Sequence, residues 1–484
     1  MRRPLLNALL AGGMLSALVG CAAFHPVGPD YHAPATPDAK LATDHEAAFS
    51  SAMPDGTWWR LYDDQNVDAI VEAALANNRD LRKAAANLER VRGALEEAEA
   101  SALPSTTASL QAKRSRGQVY GLTGLHETDA FSDMFQASYQ LDLFGRIRRS
   151  VEAAQATVGE LQATYESTQI TVVADTVRSY TQACDAGAQL GAAHEALALD
   201  DQLLGITRRQ AAVGALGAVD VARAEAQRAT TEATLAPLEA QRRTALSSLA
   251  VMMGRVPEDV PEAAKQCVSA PAVAQVMPVG DARSLLQRRP DVREAERALA
   301  AATAQIGIAT ADLYPDISLS ASLGGAGASP TALRRKSGRT WSLGPLISWT
   351  FPNQVAARAN IRQASAGADA ALASFDAAVL NALKETDNAL QTYARELDHQ
   401  QLLVDARDAD NRALEQTRKL YNAGATDLTT MLDAQRTSIT AQREVVVSQG
   451  AISSDQIALF LALAGTWPTP KPTPSRTNHP APPL

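Results

Sequence analysis

The residue with the most defined chemistry in this chain is Cys21. Leu18, Val19 and Gly20 precede it, Arg2 and Arg3 stand near the start, and an apolar stretch runs from Leu5 to Val19. A basic start, a short apolar core and a small residue at its end make a secretory signal, with a core too short for a comfortable membrane span. LVGC is also a bacterial lipobox, in which the Cys21 thiol would be diacylated and Cys21 would become the mature N-terminus. The alternative is an ordinary signal peptide that happens to hold a cysteine. Ala22 rather than an aspartate follows, so the usual inner-membrane retention signal is missing and the lipoprotein is expected at the outer membrane.

Other reactive residue types form no pattern. The seven histidines are scattered, and His194 and His399 lie in helical stretches without a second histidine four residues on or a cysteine nearby. With no HExxH and no paired CxxC, no metal and no cofactor is expected. GGAGASPTAL (324–333) is glycine-rich but lacks the GK[ST] that holds phosphate, so it reads as a hairpin loop. There is no G-x-S-x-G elbow, and acidic pairs such as Glu96 and Glu97 fall on solvated helix faces, so the chain is not expected to be an enzyme. A net charge of −8 argues against nucleic acid as a partner. Cys184 and Cys267 would be free to pair in an oxidising periplasm, but sequence does not reveal proximity.

The elements that carry these residues are long and repetitive. Aromatics make up only 5% of the 484 residues and alanine is abundant, which favours close helix packing in a thin helical assembly over a thick globular core. The chain is also built twice. TRRQAAVGALGAVDVARAEAQ (207–227) matches TRKLYNAGATDLTTMLDAQR (417–436), aligning Thr207 with Thr417, Gly214 with Gly424 and Ala224 with Ala434. RDLRKAAANLERVRGALEEAEASALPS (79–105) matches RPDVREAERALAAATAQIGIATADLYPD (289–316) in the same way. The boundaries read as a signal peptide at 1–20, a lipidated extended segment at 21–57, repeat one at 58–253, a linker at 254–280, repeat two at 281–466 and a proline-rich tail at 467–484.

In each repeat a helix of about 35 residues ends at Pro104 or Pro315, and two alternating segments flank a glycine-rich or basic loop. Period-2 alternation predicts strands at 105–113, 131–144, 316–323 and 340–351. Phe135, Ala137, Tyr139 and Leu141 oppose Gln136, Ser138 and Gln140; Trp341, Leu343, Pro345, Ile347, Trp349 and Phe351 oppose the mostly small or polar Ser342, Gly344, Leu346, Ser348 and Thr350. Helices are predicted at 147–212 and 356–422, free of proline and each roughly 100 Å long. Leu372, Phe375, Val379, Ala382, Thr386, Ala389 and Tyr393 step by three and four along the second, and Val158, Leu161, Tyr165, Thr168 and Val172 along the first, which is coiled-coil spacing. A glycine turn and a further helix follow each rod, and Pro237 should kink the first of those helices. Beyond the signal, no stretch is expected to be apolar enough to span a membrane as a helix.

Strands with one apolar face need either a helical cover or a lipid environment, and in lipid their edges must close because unpaired backbone groups cannot sit in hydrocarbon. Four strands are too few, since about eight make the smallest barrel. The internally duplicated protomer must therefore oligomerise into a membrane β-barrel, dimers giving eight strands and trimers twelve, with its long helices packed laterally. Trp341, Trp349 and Tyr139 would then stand at the membrane interfaces.

These features resemble the TolC/OprM family of outer-membrane efflux ducts, and within it the OprM/NodT-like lipoproteins. The resemblance covers nearly the whole mature chain and rests on TWWRLYDDQNVDAIVEAALANNRDL (57–81), LDLFGRIRR (141–149), RRPDVREAE (288–296) and YNAGATDLTTMLDAQR (421–436). It implies a fold that joins the membrane β-barrel to an α-helical barrel: a homotrimer with a 12-stranded barrel, a periplasmic helical tunnel, and docking to a periplasmic adaptor and an inner-membrane pump, most simply of the RND type. It also implies that the turns at Gly214, Leu216 and Gly424 form the periplasmic tip and meet the adaptor. Asp433 and Arg436 match the constriction just inside that tip, and Asp220 and Tyr421 match positions that tie neighbouring helices, although the expected arginine partner falls at Thr426. Asp433 also reads simply as a polar residue on an exposed helix face. FPNQVAARAN (351–360) replaces a usual glycine pair, so that strand-to-helix joint is expected to bend differently. Two basic hairpin loops, with Lys113, Arg114 and Arg116 in one and Arg334, Arg335, Lys336 and Arg339 in the other, would either meet anionic lipopolysaccharide or simply be solvated. The function implied is export of drugs or toxic compounds. A duct for a type I or ABC exporter, and a structural coiled-coil lipoprotein of the periplasm, are the alternatives.

Overall fold

The computed structural model describes residues 25–37, 41, 48–53, 56–118, 123–273, 276–351 and 354–464, with the side chains of Arg334 and Ser337 excepted. Cys21, the Pro352–Asn353 joint and the proline-rich tail lie outside the described residues. In chain order the elements are β1 (Phe49–Ser50), α1 (Gln65–Asn77), α2 (Arg79–Ala100), β2 (Ser105–Gln118), β3 (Leu125–Leu141), α3 (Arg146–Ala212), α4 (Ala218–Ala233), α5 (Leu235–Met252) and α6 (Glu262–Gln266). They continue with β4 (Met277–Pro278), α7 (Ala282–Arg288), α8 (Pro290–Ala311), β5 (Asp316–Gly327), β6 (Arg339–Ser348), α9 (Gln354–Asn422) and α10 (Leu428–Leu463). They group into two compact units, one holding 86–162 and 294–377 with the N-terminal residues to Ala35, the other holding 36–85, 163–293 and 378 onward.

The first unit contains an antiparallel sheet in the order β2-β3-β5-β6. Directly opposite residues of antiparallel strands share a face. Register therefore aligns Ala108, Phe135, Leu323 and Trp341 in one row, Ala137, Ala321 and Leu343 in the next, then Tyr139, Leu319 and Pro345, then Leu141, Ile317 and Ile347. Thr107, Gln136, Ser322 and Ser342 form a row on the opposite face, where Ser322 and Ser342 share a hydrogen bond of 2.8 Å. The apolar rows are bare: Trp341 is 77% exposed, Leu343 66% and Ile347 64%.

The strands β2, β3 and β5 are longer than alternation predicts, and β6 ends at Ser348, so Trp349 and Phe351 lie just past it. The added ends of β2 and β3 carry polar residues on both faces, which hides them from a period-2 pattern. Lys113, Arg114 and Arg116 consequently lie inside β2 and not in a loop. Arg114 pairs with Glu127 at 2.7 Å on β3, so this cluster is partly neutralised across the strands and is a poor anion site. Arg335 lies between two short 3-10 turns, Lys336 begins the second, and Arg339 opens β6.

The joint from β3 into α3 explains the LDLFGRIRR stretch. Gly145 takes a φ of +80°, and the Asp142 carboxylate accepts from the backbone N–H groups of Ile147 and Arg148, both at 3.0 Å. A carboxylate there satisfies orphan donors of the first helical turn. Arg149, only 3% exposed, holds residues 27–30 against this joint, donating to the carbonyls of Val27 and Gly28 and to Asp30 at 2.7 Å. Glu152 is its other partner, at 2.7 Å.

In the second unit the tryptophan pair is core. Trp58 stacks on Phe460 with ring centroids 4.7 Å apart, and Tyr62, Val71, Val177, Leu249, Leu285, Leu390 and Ile457 complete the same buried cluster. By length and composition α10 is apolar enough to cross a membrane, against the sequence expectation. Its Ile457, Leu459, Phe460 and Leu463 are buried in this core, which is why it is so apolar. Phe375, Val379, Ala382, Thr386 and Tyr393 are buried as the coiled-coil spacing of α9 predicts, whereas Leu372 is 40% exposed. In α3 the predicted seam is buried at Val172, whereas Val158, Leu161, Tyr165 and Thr168 are half-buried, and Ala163, Ile170, Val173 and Val177 are buried beside it.

The helices predicted as single pieces before Pro104 and Pro315 are each broken. Asn78 ends α1 and caps α2, its side chain accepting from Asp80 and Leu81 and donating to the Met252 carbonyl at 3.0 Å. In the second repeat Arg289 and Pro290 occupy the break, proline fitting the first helical position because its missing N–H has no partner there. Buried Arg289 spans the break, donating to the Ala462 carbonyl and pairing with Asp291 and Glu385, both at 2.7 Å. Pro237 acts as expected: α4 ends at Ala233, four residues before it, where a proline ring would clash with the carbonyl.

Cys184 and Cys267 form a disulfide across 83 positions, pinning the inter-repeat linker to α3. The linker lies so close that a Cβ at Gly187 would stand 2.5 Å from the Cys267 carbonyl oxygen, and Arg242 donates to that oxygen and to the Lys265 carbonyl. Closing a loop of this length is worth about 4 kcal/mol through the unfolded state. Cys184→Ser with Cys267→Ser is therefore expected to lower the detergent-phase unfolding midpoint, and reductant should do the same to the unaltered protein. A midpoint unmoved by both changes would contradict the linkage.

Candidate functional site

The candidate site lies in the second unit, around the two helix-to-helix turns. Gly214 and Gly424 take φ values of +77° and +72°, in the left-handed region that glycine enters without cost. The surrounding bonds repeat: Gly214 N–H donates to the Ala211 carbonyl and Ala215 N–H to Gln210, while Gly424 donates to Tyr421 and Ala425 to Leu420. These contacts satisfy the last carbonyls of α3 and α9. The two repeats thus build the same turn from Val213-Gly214-Ala215 and Ala423-Gly424-Ala425.

The starts of the following helices differ. In α10 the Asp427 side chain accepts from the Thr430 N–H and hydroxyl, both at 2.8 Å. In α4 the corresponding position is Gly217, and Asp220 reaches back three residues to accept from its N–H at 3.0 Å. Asp220 therefore caps its own helix. Tyr421 does reach a neighbour, donating its hydroxyl to Gln210 at the end of α3 over 2.8 Å. Burial raises the pKa of its phenol and the nearby Asp220 carboxylate adds to that. Leu216 and Tyr421 pack against a small apolar cluster of Leu203, Leu428 and Leu432.

Asp433 and Arg436 lie one turn apart on α10 with 3.6 Å between charged atoms, and both side chains are more than 60% exposed. Arg436 also donates to the Gln227 side chain of α4 at 3.3 Å. Behind this surface lies a buried polar knot that sequence reading missed. Asp200 of α3, 3% exposed, accepts from the Thr231 hydroxyl of α4 at 2.6 Å and from the Gln435 amide of α10 at 2.8 Å. Burial raises its pKa, against the lowering effect of hydrogen bonds from Thr231, Gln227 and Gln435. A signal was present: Asp200, Leu203, Leu204 and Thr207 follow helical spacing and are all buried, which puts a carboxylate on an apolar face.

Of the aromatic residues expected at membrane interfaces, Trp341 and Tyr139 stand on the apolar sheet face, four residues apart in register through Leu323 and Leu319. Trp349 follows β6 and donates its indole N–H to the Leu313 carbonyl at 3.2 Å. No group of histidine, cysteine and acidic residues able to hold a metal occurs among the described residues.

A duplicated chain that joins a bare apolar sheet to paired long helices defines the class of outer-membrane channel proteins. A family model described as outer membrane efflux protein matches residues 70–255 and 282–465, and the chain belongs to that family. It is 30% identical over 456 residues to the antibiotic efflux pump outer membrane protein ArpC of Pseudomonas putida, a match covering 91% of this chain and 92% of that one. The cation efflux system protein CusC of Escherichia coli is 28% identical over 462 residues, covering 93% and 97%. Among solved structures, the outer-membrane channel OprN superposes with a TM-score of 0.85 at 33% identity, covering 91% of this chain and 99% of that chain. The outer membrane is accordingly the site of this protein, and efflux is its role.

The Asp427 cap gives a pH-dependent expectation. Its pKa is lowered from the ordinary 3.8 by the hydrogen bonds from Thr430, so the stabilisation is complete above that value and is lost as pH falls through the depressed folded value. Amide exchange at Thr430 should quicken in Asp427→Ala at neutral pH, and in the unaltered protein only below about pH 4. Equal protection in both at neutral pH would remove the cap from the account.

Proposed function

We propose that the chain assembles as a homotrimer whose twelve strands close one barrel, and that this duct is the exit of a tripartite efflux pump for drugs or other toxic compounds. The observation that carries the reading is the register of the four-stranded sheet, with exposed apolar rows on one face and mostly serine, threonine and glutamine on the other. Such a sheet suits lipid outside and water inside. Its outer strands β2 and β6 have no further strand beside them among the described residues, and copies of the chain would pair these edges. The long strands β2 and β3 fit the same picture, their polar ends extending beyond the hydrocarbon. Trp341, Trp349 and Tyr139 would then serve as interface anchors, and Cys21 as the site of diacylation that ties each protomer to the membrane.

Asp433 and Arg436 form the periplasmic gate in this reading. Three symmetry-related Asp433 carboxylates near one axis would repel, favour cations and be relieved by Arg436. Tyr421 with Gln210 supports the closed helix packing nearby, and Asp220 supports it by capping α4. The turns at Gly214, Leu216 and Gly424 make the tip that meets a periplasmic adaptor, itself coupled to an inner-membrane pump of RND type. Exposed Val213 and Val219 beside the first turn offer that adaptor an apolar contact. ArpC, named for antibiotic efflux, favours this cargo class over protein export.

Purified protein in planar bilayers tests the reading: it should run as a trimer on cross-linking and conduct ions. Asp433→Ala should raise the conductance of the resting channel and weaken its cation preference, while deletion of the gene should lower tolerance to drugs. Protein that never opens a pore would overturn the duct. Unchanged drug tolerance with loss of a secreted protein would shift the role to a type I or ABC exporter.

A further inference from the structure

We infer that Asp200 is the positioning residue of the gate, holding α4 and α10 on α3 so that the Asp433–Arg436 pair of α10 keeps its facing. The inference rests on the gate reading above and adds to it a residue buried behind the gate. Four observations carry it.

First, Asp200 is 3% exposed, and among the described residues the hydrogen bonds to its carboxylate come from the neutral donors Thr231, Gln227 and Gln435. Leaving a buried carboxylate without such donors is costly, so the donors are fixed in place as firmly as the acid needs them. Second, its two oxygens take one donor from each of two other helices, the Thr231 hydroxyl on α4 and the Gln435 amide on α10, and both donors are themselves buried. One side chain thus fixes three helices together. Third, Gln435 immediately precedes Arg436 and lies two residues after Asp433, so the amide that binds Asp200 sets the rotation of α10 at the gate. Fourth, a second path reaches the same arginine: Gln227 donates to the Thr231 hydroxyl at 3.4 Å and accepts from Arg436 at 3.3 Å. The adjacent acid Asp201 does not share this role, since it faces Arg228, which it binds at 2.5 Å on the exposed side.

Asp200 touches no cargo and no gate carboxylate; it acts through Gln435 and through Thr231 with Gln227. Loss of its acceptors would free α10 to rotate, turning Asp433 and Arg436 together and breaking the bond from Arg436 to Gln227 of α4. Asparagine should serve nearly as well as aspartate: its oxygen accepts from Thr231, and a flipped Gln435 amide accepts from its nitrogen.

The test is bilayer conductance of the full-length channel carrying Asp200→Ala, Asp200→Asn, Thr231→Val or Asp433→Ala, with unfolding midpoints measured in parallel. Asp200→Ala should raise resting open probability about tenfold, a typical coupling between linked sites. Thr231→Val, which removes one donor and keeps the shape, should raise it less, and Asp200→Asn should restore the closed channel. Asp200→Ala combined with Arg436→Ala should open no further than either alone, because both break the same path. If Asp200→Ala does not assemble, Thr231→Val and Gln435→Ala carry the same expectation. A resting conductance unchanged in Asp200→Ala while Asp433→Ala opens the channel would overturn the role of Asp200 and leave the gate standing. Equal opening by Asp200→Asn and Asp200→Ala would overturn the hydrogen-bonding account. No effect from either Asp200→Ala or Asp433→Ala would remove the gate reading itself, and this inference with it.

Discussion

The sheet in the first unit has one face that water does not suit. Rows running through Phe135, Leu323 and Trp341, and through Leu141, Ile317 and Ile347, stand uncovered, and exposing so many large side chains to water would cost roughly 1.5–3 kcal/mol for each one left out of an apolar medium. The other face is mostly serine, threonine and glutamine, with Met134 and Leu346 among them, so turning the sheet over would not help. A bilayer with water on the inner side satisfies both faces at once. The rest follows from that constraint, because backbone groups in hydrocarbon must be paired and a lone four-stranded sheet has two edges.

That constraint also explains why so much of the fold was legible. Alternation along a strand and spacing along a helix are local, and both survive in the sequence wherever one side is apolar and the other is not. The long helices α3 and α9 begin and end within two residues of their predicted limits. Where both faces are polar, as beyond Lys113 and before Phe131, the period vanishes and the strands were read short. The buried face of α3 is legible only in part, at Val172, for the opposite reason: near 163–186 the helix is buried on most sides, so no single stripe stands out.

Features made by distant partners were not legible. Asn78 looks like one more polar residue of a long helix until the Met252 carbonyl, 174 positions away, is placed beside its amide. The pairing of Cys184 with Cys267 depends on the linker lying against Gly187, which neither cysteine announces. Asp200 is intermediate. Its spacing with Leu203, Leu204 and Thr207 marks it as buried, but nothing local says that Thr231 and Gln435 supply its donors.

The duplication gives the two repeats the same glycine turn and then lets them diverge. In the first repeat the helix after the turn is interrupted at Thr234 by Pro237; in the second, α10 runs unbroken from its Asp427 cap to Leu463. The C-terminal part of α10 is fixed in the aromatic core by Phe460 against Trp58. Its N-terminal part, which bears Asp433 and Arg436, is held by the small Leu203–Leu428–Leu432 cluster, by buried Met431, by the Gln435 bond and by Ser438, which donates to Asn411 at 2.8 Å, with no aromatic core around it among the described residues. Local stability follows the density of buried contacts, so motion in this helix is least costly at that end. A continuous rod anchored at one end and lightly held at the other can swing its charged residues without disturbing the core, and the repeat broken by Pro237 lacks that property.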